Sequence, residues 1–302
     1  RYEAHPHIGT NKLPHIITAM REAIVTAGAQ FHFEKKLTDL HVKKGNVVLA
    51  ETQDGETFYG DAVILATGHS ARDIFELLHR KQLTIHAKPF ALGVRIEHPQ
   101  DIIDSLQFHC DVRDPHLPPA SYSLVEQVNG RGVFSFCMCP GGIIAPAATN
   151  PGELVVNGWS PSKRNNPFAN SGMVVSINAA DAYANTKQPG ITEHDPLLFM
   201  HFQKMVEQNA YTHGGGKMKA PAQRMVDFTQ NKVSAAIPKT SYVPGTTSIE
   251  MGQVFPGFLT QIMREGFVQF GKSMRGYMTN EAILHAPESR TSSPVRIPRD
   301  NF

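Results

Sequence analysis

Apolar residues at Leu13, Ile16, Ile17, Met20, Ile24 and Ala27 recur at spacings of three and four and mark one face of a helix. Thr10 and Asn11 supply N-cap chemistry, Pro14 suits a first turn, and Gly28 provides a stop. The period then changes. Phe31 and Phe33 alternate with polar residues, and three short runs follow, around Leu37–Val42, Val47–Leu49 and Thr57–Tyr59. Turns at Lys44-Gly45-Asn46 and Asp54-Gly55 separate them, the pattern of a β-meander. Asp61 to Gly68 contains an unbroken apolar stretch, which predicts a strand buried on both faces of a parallel sheet. Asp73, Phe75, Leu77 and Leu78 then resume a helical pattern.

From about residue 85 the texture changes to short β-type runs, at 90–96, 133–138 and 154–156, broken by Pro and Gly. Helices are predicted at about 196–209 and 256–270. The implied class is α/β.

Composition narrows the function. Lys plus Arg number 29 against 27 Asp plus Glu in 302 residues, a net charge of +2, too balanced for a protein built to neutralise a phosphate backbone. No nucleic-acid partner is therefore expected. Hydrophobic residues at 41% support a folded core. No apolar run reaches the length that spans a bilayer, and no membrane association is expected. Three cysteines cannot make a disulfide framework, which suits a reducing, cytoplasmic setting. Fifteen histidines are present, but none with recognised metal-ligand spacing, so no metal is expected.

The candidate chemistry lies in four stretches. Ala66-Thr67-Gly68 ends the predicted buried strand, where glycine lets a ligand approach the backbone. His69, Ser70 and Arg72 follow. Cys137-x-Cys139-Pro140-Gly141-Gly142 reads in three ways: a strand with both thiols on one face and a terminal turn, a backbone lining for substrate, or a redox dithiol. Gly214-Gly215-Gly216-Lys217 is a loop or an anion nest. Near the end, Thr291, Ser292 and Ser293 offer hydroxyls, and Arg290 and Arg296 offer guanidinium groups suited to an anionic substrate.

These stretches, with Pro6-His7-Ile8-Gly9-Thr10, Ala220-Pro221-Ala222-Gln223 and Glu288 to Ile297, resemble the FAD-dependent, NAD(FAD)-utilising dehydrogenase-like flavoproteins. The resemblance runs in order along nearly the whole chain and implies a partial FAD/NAD(P)-binding sheet domain with its meander at 1–88, an inserted mixed α/β substrate domain at 89–282, and a segment at 283–302 returning to the FAD-binding domain. It implies FAD as cofactor, NAD(P) as a candidate second nucleotide, and a small-molecule substrate. It implies cofactor contacts at Ala66, Thr67, Gly68, His69, Ser70, Arg72, Thr291, Ser292 and Ser293. Substrate contacts are implied at Cys137, Cys139, Gly141, Gly142, Arg290 and Arg296. The G-x-G-x-x-G that would seat the flavin pyrophosphate on a helix N-terminus occurs nowhere in the 302 residues. With Arg1 in place of Met, this suggests the middle and late portion of a longer flavoprotein. The expected function is thus a fragment of an FAD-dependent oxidoreductase. A non-catalytic binding or interaction module, or a thiol-redox protein using Cys137 and Cys139, is the alternative.

Overall fold

A computed structural model describes residues 7–186 and 188–299. A 3-10 turn, Thr10–Lys12, leads into helix α1 (Leu13–Thr26). Pro14 sits in its first turn, and Gly28, at φ 99°, donates its N–H to Val25 O at 2.9 Å as the helix ends. Thr10 and Asn11 do not cap it. Asn11 Oδ1 instead accepts from Ser162 N at 2.8 Å, tying the helix entrance to a distant loop. The meander forms as expected: β1 (Leu37–Lys43), β2 (Asn46–Thr52) and β3 (Thr57–Tyr59) pair antiparallel in that order. Lys44 and Gly45 both take positive φ at the first turn, the conformation whose twist suits a two-residue hairpin.

The stretch after the meander departs from expectation. Residues 61–67 form no strand, and Ile64 is 90% exposed. A strand of this kind needs paired neighbours and a layer on each face. Among the described residues no strand lies beside it. The apolar face of α1 is similarly uncovered, with Ile17 and Met20 more than half exposed.

The chain then enters α2 (Arg72–Arg80), which buries Ile74, Phe75, Leu77 and Leu78. A short β4 (His86–Ala87) precedes the long β5 (Phe90–Pro99) and α3 (Gln100–Phe108). Next come β6 (Val125–Val128), β7 (Arg131–Cys139), β8 (Ile143–Pro146), β9 (Val156–Trp159) and β10 (Phe168–Ile177). Helices α4 (Ala179–Asn185) and α5 (Leu198–His213) lead to β11 (Ala220–Arg224), α6 (Met225–Thr229) and β12 (Thr246–Ser248). The chain closes with α7 (Gly257–Ser273), β13 (Ile283–Glu288) and β14 (Val295–Arg296).

Seven strands make one mixed sheet in the order β12-β11-β13-β5-β10-β7-β6. Only β11 and β12 run parallel. The architecture is therefore mixed α/β with a large, mostly antiparallel sheet, where the sequence pattern predicts a parallel one. Because side chains alternate across a strand, β5 divides its residues between two layers. Leu92, Val94 and Ile96 join Met173, Phe267 and Phe270 in the main apolar core. Arg95 and Glu97 face the other way. The β8–β9 hairpin lies on that second face and touches β5, β7, β10 and β13.

A second apolar cluster combines Leu40, Ile74, Phe75, Leu77, Leu78 and Ile85 with Leu197 just before α5, Met200 of α5 and Val295 of β14. It joins the meander and α2 to the rest. Ile283–Glu288 stands inside the main sheet between β5 and β11, and the segment beyond it leaves that sheet. That segment reaches β4: Val295 pairs with Ala87, and Lys88 N donates to Pro294 O at 3.0 Å.

Leu77 is 1% exposed and Ile64 90%. Leu77→Ala should cost roughly 2–5 kcal/mol in urea unfolding. Ile64→Ala should cost less than about 0.5 kcal/mol, although the sequence pattern ranks both as core.

Candidate functional site

The second face of the sheet holds a buried polar layer, and Arg95 is its centre. Its guanidinium is fully buried. Nη1 donates to Glu288 Oε2 at 2.7 Å and Nε to Asn170 Oδ1 at 2.8 Å. Nη2 donates to the Cys137 carbonyl and lies 3.7 Å from Cys139 Sγ. A buried guanidinium requires this degree of pairing. Burial pushes the Glu288 carboxyl upward in pKa, and Arg95 pulls it back. Gly158 makes room: a Cβ there would overlap both the Arg95 guanidinium and Asn170 Oδ1.

The cysteines owe their placement to a bulge. Across β7 and β10, Phe136 opposes Gly172 and Cys139 opposes Asn170, so three steps on β7 match two on β10. Cys137 takes φ 47° at this irregularity. The two thiols therefore do not simply share one face of a regular strand. Cys137 is exposed, whereas Cys139 is buried and donates towards the Cys137 carbonyl at 3.5 Å. The neighbouring Cys139 side chain and the Arg95 charge hold Cys137 below the usual thiol pKa against its desolvation. The Cys137 side chain and burial push Cys139 upward.

Gly141 and Gly142 serve close packing. A Cβ on Gly141 would overlap the Arg164 backbone, and one on Gly142 would stand 2.6 Å from Trp159 O. Both are buried within the chain. Gly141 N donates to Gln100 Oε1 at 2.7 Å.

Glu97 and His285 lie further along the same face. Ser241 donates to Glu97 through its N–H at 2.8 Å and through its hydroxyl. Desolvation nevertheless raises the Glu97 pKa to about 7. Burial lowers His285 to about 4, so its ring is neutral, and neither ring nitrogen has a hydrogen-bond partner in the described chain.

A second buried cluster holds Arg72 and Arg290. Arg72 is 5% exposed and stands 2.8 Å from Glu153 Oε2 and 2.7 Å from Glu207 Oε2, with Gln203 Oε1 at 2.9 Å. Arg290 Nη2 donates to Glu207 Oε2 at 3.0 Å, and Nη1 to Thr149 Oγ1 at 2.7 Å. Ser289 Oγ donates to Glu207 Oε1 at 2.7 Å. Two guanidinium groups thus balance two carboxylates out of water, and Arg72 Nε and Nη1 have no hydrogen-bond partner in the described chain. Two expected hydroxyls are likewise engaged within the chain. Thr291 Oγ1 donates to Ala91 O at 2.8 Å, and Ser293 Oγ to Val295 O at 2.6 Å.

The other expected positions lie at the surface. Ala66, Thr67, Gly68 and His69 are exposed, and Ser70 and Ser292 are half-buried. Gly68 takes φ 76°, and no atom lies within 4 Å of where its Cβ would stand. Partial desolvation, then the charges of Arg290 and Lys88, hold His69 below its usual pKa. Exposed Arg296 sits on β14, opposite His86. The turn at 66–70 and the returning tail thus approach one another, joined through the cluster in which Arg72 and Arg290 share Glu207.

Sequence reasoning missed Arg95, Glu97, Glu153, Glu207 and Glu288. Arg95 and Glu97 could have been found as charges alternating with Val94 and Ile96 in an apolar strand. The partners of Arg72 and Arg290 lie far along the chain, with no local pattern to mark them.

The family described as "FAD-dependent protein, C-terminal domain-like" matches residues 89–291. The chain belongs to this FAD-dependent family. The description "FAD dependent oxidoreductase" matches residues 13–135 as well. A relative from Clostridium beijerinckii, described as an uncharacterized protein, is 37% identical over 304 residues. That match covers 99% of this chain and 55% of the relative, so the FAD-family chain spans about half the relative's length. FAD is the cofactor named by both family descriptions. Among the described residues no helix is long and apolar enough to cross a membrane.

Two measurements check the electrostatics. Glu97 has a folded-state pKa near 7 against an ordinary 4.5, so the folded state binds more protons between these values. Its contribution to stability is complete below about pH 4.5 and is lost as pH rises through about 7. Urea unfolding of Glu97→Gln should show a shallower fall in stability than wild type between about pH 5 and 8. Separately, Glu207→Gln leaves two buried guanidinium groups short of a counter-charge. It should cost roughly 3–5 kcal/mol in the same assay.

Proposed function

We propose that this chain is the substrate-facing part of an FAD-dependent oxidoreductase acting on a small molecule, with the flavin lying against the 66–70 turn and the tail beyond Arg290. The observation that carries the reading is the approach of these two segments, which the sequence separates by more than two hundred residues. The open backbone at Gly68 fits a flat ligand, because nothing in the chain occupies the space beside it. Ala66, Thr67, Gly68, His69 and Ser70 would form one wall of the site, and Ser292 the other. Arg296 and Lys88 are exposed cations on adjoining segments and would draw an anionic substrate or the flavin phosphates. His69, neutral at pH 7, would accept or donate a hydrogen bond there.

Bound FAD would supply the electron transfer, while these residues bind and orient. NAD(P) as reductant and a dehydrogenase reaction rest on the resemblance in sequence alone. A reducing cytoplasmic setting is supported by three cysteines that are all unpaired.

The test is flavin retention. After incubation with FAD and gel filtration, the complete gene product that carries this chain should keep flavin absorbance. Gly68→Val places a β-branched side chain at a left-handed residue and into the proposed wall. It should weaken FAD binding by roughly tenfold, about 1.4 kcal/mol. Equal retention by Gly68→Val and wild type would remove the turn from the site, and no flavin in either would reject the reading.

A further inference from the structure

Cys137 and Cys139 are built into the polar layer around Arg95, and the flavin reading does not use them. In a regular strand, residues two apart are separated by about 6.6 Å, at the far end of the range a disulfide spans. The bulge between Phe136 and Cys139 breaks that regular geometry. It leaves one thiol at the surface and the other buried, with Cys139 Sγ 3.5 Å from the Cys137 carbonyl oxygen. Behind both lies a fully buried guanidinium that the chain maintains with Glu288, Asn170 and a glycine at 158. A structural cysteine pair has no need of such a charge, whereas a reacting thiolate does.

We infer that Cys137 and Cys139 form a reversible redox dithiol, in which exposed Cys137 attacks a small disulfide and buried Cys139 resolves the adduct. The first step forms a bond between Cys137 Sγ and one sulfur of the substrate. The substrate S–S bond breaks, and its other half leaves as a thiolate that takes up the Cys137 proton from solvent. In the second step Cys139 Sγ attacks Cys137 Sγ. The mixed disulfide breaks, the second thiolate leaves with the Cys139 proton, and an intrachain disulfide forms. The two cysteines are oxidised by two electrons and the substrate disulfide becomes two thiols. A small dithiol reductant returns the pair to its starting state by the reverse exchange.

The arrangement assigns the order. Cys137 is the accessible thiol and has the thiolate character needed for attack. Cys139 is buried and held protonated until the adduct forms beside it. Arg95, bonded to the Cys137 carbonyl and 3.7 Å from Cys139 Sγ, is a positioning residue for the pair.

The probe is 5,5′-dithiobis(2-nitrobenzoate), applied to the reduced whole chain and followed by tryptic peptide mapping. Residues 132–163 form one peptide that carries both cysteines and leaves Cys110 elsewhere. In the wild type this peptide should end lighter by two hydrogens and free of adduct. Cys139→Ser should keep the nitrobenzoate on Cys137. Cys137→Ser should react at Cys139 at least about tenfold more slowly than wild type reacts. A wild-type peptide that keeps its adduct, or fails to react, overturns the assignment without need of either variant. The readout is independent of flavin, so its failure and that of the flavin site are separable. Iodoacetamide gives a second check. The alkylation rate at Cys137 should be half-maximal at a pH below the roughly 8.5 of a free thiol; a midpoint at or above that value counts against the attacking role.

Discussion

Much of the chain answers to one demand, the pairing of the Arg95 charge inside the sheet. A guanidinium out of water needs each of its nitrogens engaged. The chain meets this with Glu288 from β13, Asn170 from β10 and a backbone carbonyl freed from the ladder at the β7 bulge. Each partner comes from a different strand, so the contact also holds the order of those strands. It explains why β13 lies against β5, why residue 158 has no side chain, and why the Cys137 backbone turns out of the strand path.

The second ionic cluster works on the same principle at the junction of two apolar cores. Arg72 opens α2, Glu207 lies in α5, Glu153 precedes β9 and Arg290 begins the tail. Apolar contact between α2 and α5 is non-directional and would tolerate sliding. Four charges that must match do not, and they define how the meander and α2 sit on the main sheet. Specificity of this kind accounts for arginines that otherwise resemble ligand-binding groups.

What could be read from the sequence follows how local the cause is. The α1 stripe, the meander turns, α2, α5 and α7 depend on neighbours within a few residues, and their patterns were legible. β10 and β13 were not foreseen, because both faces of each are buried and no alternation marks them. The stretch 61–67 had the composition of a buried strand, but burial depends on neighbours that local pattern does not reveal. For the candidate site, the stretches were legible while the roles were not. Arg72 and Arg290 were read as ligand-holding because Glu153 and Glu207 are remote in sequence. The surface turn at 66–70 and Arg296 stayed available because no such partner reaches them among the described residues.

Glu288, Ser289 and Arg290 are consecutive, yet the first serves the Arg95 layer and the other two serve the cluster around Glu207. Three consecutive residues at the end of β13 thus act as a spacer of fixed length between two charge sites. An inserted residue here would shift one site relative to the other and reverse which face a side chain takes. Length variation along the gene should therefore fall in turns such as Lys44-Gly45 and be purged from this tripeptide, a pattern that a scan of single-residue insertions would read directly.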